Sequence, residues 1–227
     1  VCSCQGFHHL VSVHSGKAAQ QHGEPVPQWQ DEMDFLNDLR ANPWIAWPLR
    51  LYDCAPITDG ATCVLLVASE LSTNFTDKPI HIAGTGQASG KPLHDADELT
   101  SLPAAKAAAA QAYAMAGIGP EDIQIAEVHD CFTIAEIIAT EDLGFFSPGE
   151  GPHAVDERRT SLTGDKPINT SGGLKAKGHP VGASGVGQVI EMFHQLRGEA
   201  GSRQIATPDL EVGLTHNVGG TGGTCVV

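Results

Sequence analysis

The sequence predicts an α/β protein, a mixed β-sheet with helices on its faces, preceded by an irregular loop region. Apolar runs at residues 62–68, 80–86, 123–128, 211–214 and 224–227 have the length of strands. Segments at 103–117, 133–143 and 186–196 carry helical spacing or helix start and stop residues. Strand, turn and helix follow one another at 123–143 and again at 168–196. That alternation stacks helices against a sheet.

Residues 1–56 form the irregular part. Gly, Pro, His and Gln are frequent up to position 30, and residues 31–40 suit a short helix. Asn42-Pro43-Trp44-Ile45-Ala46-Trp47-Pro48 follows as a proline-bounded aromatic segment. Tryptophan is costly to leave in water, so this segment is expected to lie against another surface. Residues 57–227 form the α/β domain. The run at 62–68 has no polar alternation and reads as a strand buried on both faces, and 80–86 reads as a second strand ending in glycines. Ser101 can cap a helix that Pro103 opens and Gly117 closes. That alanine-rich helix is packing rather than chemistry. Pro120-Glu121-Asp122 turns the chain into the strand at 123–128, and His129-Asp130-Cys131-Phe132 stands at its carboxyl end before the helix at 133–143.

Composition narrows the function. The chain has 227 residues, 41% hydrophobic and 18% charged, with 13 basic against 27 acidic side chains and a net charge of −14. Nucleic-acid and anionic-membrane binding need clustered Lys and Arg, which are missing, so neither partner is expected. No apolar run is long enough to cross a bilayer and no secretion signal is present, which points to the cytoplasm. Six scattered cysteines fit a reduced compartment. Cys2-x-Cys4, with His8, His9 and His14 nearby, is a weak metal pattern without a second ligand pair, and no metal is expected. The first residue is Val rather than Met, so the chain is expected to be part of a longer protein or one product of a split gene.

The stretch at 169–187 places six glycines around His179 and runs into an amphipathic helix. Glycines let backbone approach a ligand closely, Pro180 stiffens the chain beside the imidazole, and a helix N-terminus favours negative charge. Two readings fit His129-Asp130-Cys131 equally well. One is a buried, hydrophobe-like thiol with a backbone-satisfied histidine. The other is an oxyanion donor beside a proton-shuttling thiol, whose thiolate a helix N-terminus would favour. The third loop carries His216 and Asn217, then the glycines at 219–223. Those glycines either permit a hairpin or leave N–H groups free for an oxyanion. Lys175 and Lys177 read as a solvated face. In α/β sheets ligands gather where loops leave the carboxyl ends of strands, and all three loops are of that kind.

Together, Tyr52-Asp53-Cys54-Ala55-Pro56-Ile57-Thr58-Asp59-Gly60, Glu127-Val128-His129-Asp130-Cys131-Phe132-Thr133, the stretch at 169–185 and residues 215–223 resemble the C-terminal half of a thiolase. The branch is that of sterol carrier protein x and the archaeal acetyl-CoA acetyltransferases, and the resemblance covers about residues 42–227. It implies one half of a thiolase-like layered fold and an acyl-CoA C-acyltransferase. Coenzyme A thioesters would be the substrates, with no permanently bound cofactor. It further implies that His179 activates a nucleophilic thiol and, with His129, holds the thioester oxygen. Gly178 and Asn217 would belong to the substrate-binding surround. Cys131 would be the acid/base, and the Gly219 amide would serve a second oxyanion hole. Many thiolases place the acid/base cysteine in a Cys-x-Gly motif, but the matching place here reads Asn217-Val218-Gly219, which gives Cys131 more weight. The nucleophile belongs to the family's N-terminal half, and neither Cys2 nor Cys4 is suited to the part. Either a second chain would then supply that half or the chain is a fragment, and the expected partners are a homo-oligomeric copy or that second chain. Two alternatives stand beside this reading: a thiolase-like retro-aldolase or C-acetyltransferase subunit working with a zinc-binding OB-fold partner, and a non-catalytic half-thiolase subunit or fragment.

Overall fold

The strand Ile125–Glu127 is the hub, and all three of its residues are buried. The computed structural model describes residues 32–227 apart from 92, 221, 223 and 227. The Cys2-x-Cys4 pattern and the histidines at 8, 9 and 14 lie outside the described residues.

In chain order the elements are α1 (Glu32–Asn37), β1 (Trp44–Ala46), β2 (Leu49–Arg50), β3 (Gln87–Ser89), α2 (Pro103–Ala116), β4 (Ile125–Glu127), α3 (Thr133–Asp142), α4 (Gly151–Asp156), α5 (Gly173–Lys177), α6 (Ser184–Arg197), β5 (Gly213–Thr215), β6 (Asn217–Gly219) and β7 (Thr224–Val226). β4 pairs with β5 in parallel, Glu127 opposite Thr215. On its other side Ala126 bridges Ile168, also in parallel, and the Asn169 N–H donates to the Ala126 carbonyl at 2.9 Å. Three parallel segments therefore end on one side, and residues 128–131, 169–179 and 216–219 all leave from that edge.

Strand alternation sorts the core into two layers. Ala126 and Val128 pack with Ala109 of α2, Ala139 of α3, and Ile123, Leu143, Ile168 and Leu214. Ile125 packs the other way, against Met192 of α6 and Ile205. A separate antiparallel sheet runs β3-β7-β6, and Ala104, Ala105 and Ala108 of α2 pack against its Ala88 and Val218. The glycine loop after β6 thus closes a hairpin, as one of its two readings expected.

Four local expectations are corrected. Residues 62–68 form no strand; Leu65 and Leu66 are each 70% exposed. The hydropathy of that run called for cover, but no described element lies alongside it to pair. Residues 80–86 form no strand either, and the strand sits at β3. The glycines that close the run serve packing on α2 instead: a Cβ at Gly86 would run into the Ala108 carbonyl oxygen. Ser101 does not cap α2. Leu102 is the N-cap and no side chain caps the first turn; Asp142 instead accepts the Leu102 N–H at 2.6 Å and the Ser101 hydroxyl at 2.7 Å. Lys175 is buried rather than part of a solvated face, while Lys177 is exposed as expected; the contacts of both belong to the site. The tryptophan segment folds back as β1 and β2, with the Arg50 guanidinium 4.3 Å over the Trp44 ring. No described surface covers Trp47, which is 82% exposed.

Candidate active site

His129 and His179 meet where the parallel segments end. Their ring centroids are 5.1 Å apart and the rings stand edge to face at 78°. His129 stands two residues beyond the end of β4 and is buried. The turn below it is fixed by side chains. The Val128 N–H donates to Asn169 Oδ1 at 2.8 Å, and Asn169 Nδ2 donates to Glu136 Oε2 at 2.7 Å. Asp130 accepts the Leu174 N–H at 2.7 Å and the Lys175 N–H at 3.4 Å.

His179 is mounted from three directions. Its N–H donates to the Pro56 carbonyl at 3.0 Å, its backbone bridges Ile57, and its Nδ1 is 2.7 Å from Ser184 Oγ. Ser184 donates its one hydroxyl proton to the Pro180 carbonyl at 3.0 Å. The serine oxygen therefore accepts from Nδ1–H, which leaves the lone pair on His179 Nε2. This is the tautomer a general base needs. Burial lowers the His179 pKa, so the ring is neutral at physiological pH.

His129 is held lower, at about 4, by burial and then by the neighbouring His179. A third imidazole belongs to the group. His216 is 1% exposed, its N–H donates to the Glu127 carbonyl at 2.8 Å, and burial and His129 push its pKa to about 4. Neither His216 ring nitrogen, nor Nδ1 of His129, has a hydrogen-bond partner among the described residues.

Cys131 is a half-buried free thiol; its carbonyl accepts the Ala55 N–H at 2.9 Å. The expectation of a favoured thiolate is corrected. Burial pushes the thiol pKa up and Asp130 adds to that, outweighing the nearby backbone N–H of Phe132 that pulls it down. Its thiol form is thereby favoured over the thiolate.

Gly178 ends α5, its N–H donating to the Leu174 carbonyl at 3.1 Å. Asn217 donates to Gln188 Oε1 of α6 at 3.2 Å, and Gln188 Nε2 in turn holds the His216 carbonyl at 3.0 Å. Gly219 lies at the exposed end of β6. Both lysines brace the loops. Lys175 Nζ donates to the carbonyls of Leu51 and Cys54, while Lys177 Nζ reaches Glu127 Oε2 at 3.2 Å and Ser171 Oγ at 2.9 Å. Beside His179, residues 58–62 and 180–183 line a cleft of about 400 Å³. Sequence reasoning missed Ser184, Asp130 and the ring of His216. A hydroxyl at the start of α6 and an acid between two candidate residues were the available signals.

Residues 86–227 match the family described as thiolase C-terminal domain-like. The chain belongs to the thiolase family. This thiolase chain is 50% identical over 184 residues to the acetyl-CoA acetyltransferase of Methanothermobacter thermautotrophicus, covering 81% of this chain and 48% of that one. It is 34% identical over 209 residues to sterol carrier protein 2 of Rattus norvegicus, covering 89% of this chain and 38% of that one. Among solved structures it resembles the Ltp2-ChsH2(DUF35) aldolase with a TM-score of 0.70 and 26% identity, covering 84% of this chain and 50% of that one. The thiolase chain spans about half the length of the curated acetyl-CoA acetyltransferases it matches. Its mixed α/β architecture is that of half a thiolase fold, and its family is one of thiolase-like acyltransferases.

Proposed function

We propose that this chain carries the proton-transfer and oxyanion-binding groups of an acyl-CoA C-acyltransferase that cleaves or forms 3-oxoacyl-CoA. The meeting of two neutral imidazoles at the ends of three parallel segments is the observation that carries this reading. A nucleophilic thiol from the half outside this chain would give its proton to His179 Nε2 and attack the C3 carbonyl. The C2–C3 bond then breaks, and its electron pair goes to C2 as a thioester enolate. The enolate oxygen is held by His129 and by His179, whose Nε2–H has become a donor. Cys131, kept as a thiol by its burial, delivers its proton to C2. The acyl group now sits as a thioester on the nucleophilic thiol. The thiol of free coenzyme A returns a proton to Cys131 and attacks that thioester, and the nucleophile leaves as a thiol by taking its proton back from His179. Condensation is these steps in reverse. Gly219 would serve the second oxyanion through its amide with Asn217 nearby, and Gly178 lets the chain pass close beside the thioester.

Thiolysis of acetoacetyl-CoA by the full-length protein tests the reading. His179→Ala is expected to lower kcat by roughly 10³-fold and Cys131→Ser by roughly 10²-fold or more. Unchanged turnover in either variant overturns the role given to that residue. Likeness to the Ltp2-ChsH2(DUF35) aldolase favours a second reading, a retro-aldol cleavage carried out with a zinc-binding OB-fold chain. Aldol cleavage without any thiolysis would select it. Absence of coenzyme A binding by calorimetry would select a non-catalytic subunit.

A further inference from the structure

The Asp130 carboxylate is buried and stands between the two residues of its loop that the acyl-transfer reading uses. It reaches neither reacting group. Instead it spans to the other loop, where Oδ1 takes the Leu174 N–H at 2.7 Å and Oδ2 the Lys175 N–H at 3.4 Å. Both amides belong to α5, and that single short helix leads through Gly178 directly into His179. The join is tight. Gly173 sits at φ +62°, and a Cβ there would stand 2.1 Å from Asp130 Oδ2. Only a glycine lets the carboxylate seat against the start of the helix. Asn169 makes a second, parallel tie through Val128 and Glu136.

We propose that Asp130 is a positioning residue, a strut that fixes the separation of the His179 loop from the loop carrying His129 and Cys131. A carboxylate receiving two backbone N–H bonds inside the protein holds direction as well as distance, because both acceptors are engaged at once. The strut makes His129 and His179 one unit, although 50 positions separate them in the chain.

The kinetic consequence rests on the acyl-transfer reading, while the geometric one does not, so the test has two arms on the full-length protein. In the first, histidine-labelled protein is examined by NMR for the nuclear Overhauser contact between the two imidazoles. Asp130→Ala and Gly173→Ala are expected to lose it, and Asp130→Asn, which keeps an acceptor for Leu174, to retain it. In the second, Asp130→Ala is expected to lower kcat for acetoacetyl-CoA thiolysis by roughly 10²-fold with KM little changed, the size expected for misplacement of about 1 Å. Asp130→Asn should restore most of that loss. If Asp130→Ala does not fold, Asp130→Glu, which pushes the carboxylate out by one methylene, takes its place with the same expectations. Ring contact that survives in Asp130→Ala or Asp130→Glu overturns the proposal, whether or not the protein is a thiolase. A kcat loss no larger than the loss of folded protein overturns it too. If the wild type shows no turnover, the acyl-transfer reading falls and the ring contact alone decides the strut.

Discussion

Ser184 shows how a small side chain sets the chemistry of a large one. By giving its proton to Pro180 it assigns the His179 tautomer, and replacing it with alanine removes that assignment without touching the imidazole. The titrating groups below the site pull stability in opposite directions. His129 protonates near 6.5 in an unfolded chain but only at about 4 in the folded one. Between those values the unfolded state takes up a proton the folded state refuses, so its contribution falls as pH drops from 6.5 to 4. Glu136 does the reverse. Burial, then Asp130, raise its pKa from 4.5 to about 7, so it favours the folded state below pH 4.5 and loses that advantage as pH rises through 7. Glu136→Gln keeps an acceptor for Asn169 and removes the charge. Its melting temperature is expected to exceed that of the wild type by roughly 5 °C at pH 8 and to match it at pH 4.5. An equal difference at both pH values would show that Glu136 does not titrate in this range. The sequence displayed His129, Cys131 and His179 because each sits in a short motif at a strand or helix end. Asp130 and His216 stood in the same motifs, but their roles depend on partners 44 and 89 positions away (Leu174 and Glu127), which no local pattern encodes.

At the scale of elements, the parallel core was legible because buried strands and helices keep their own periods. The signals that failed were those with two physical meanings. An unbroken apolar run says only that a segment wants cover, and at 62–68 no partner strand among the described residues supplies it. Ser101 before Pro103 satisfies a local capping rule, yet Asp142 of another helix takes its hydroxyl proton and the N-cap falls to Leu102. Glycines also divide by role. Gly86 lies against the α2 backbone, so Gly86→Ala is expected to cost about 2 kcal/mol or more in denaturant unfolding. Gly187 lies inside α6, and a Cβ added there would meet only the Thr62 Cγ2 methyl, at an ordinary contact distance of 3.7 Å. Gly187→Ala is expected to stabilise by about 0.5–1 kcal/mol. If Gly86→Ala is tolerated, the close packing on α2 is wrong; if Gly187→Ala destabilises, the open space beside α6 is.

For the molecule as a whole, several large apolar side chains are left outside. Ile57 is 90% exposed, and Val64, Leu65, Leu66 and Val67 are exposed as well. Exposed apolar side chains of that kind mark association sites. Replacing Leu65 and Leu66 together by Asp is expected to lower hydrophobic-dye binding and shift the sedimenting species to a single chain. Unchanged sedimentation would place the contact elsewhere.

The same strand that fills the core also roots all three loops of the site. Breathing motions of the protein should therefore be smallest where its chemistry is. The amides of Asn169 and His216, each given to a β4 carbonyl, should exchange with deuterium only when the entire domain opens, while those of the 62–68 segment exchange at once. The imidazole pair is thus the stationary part of the domain, and the adaptable part is its rim.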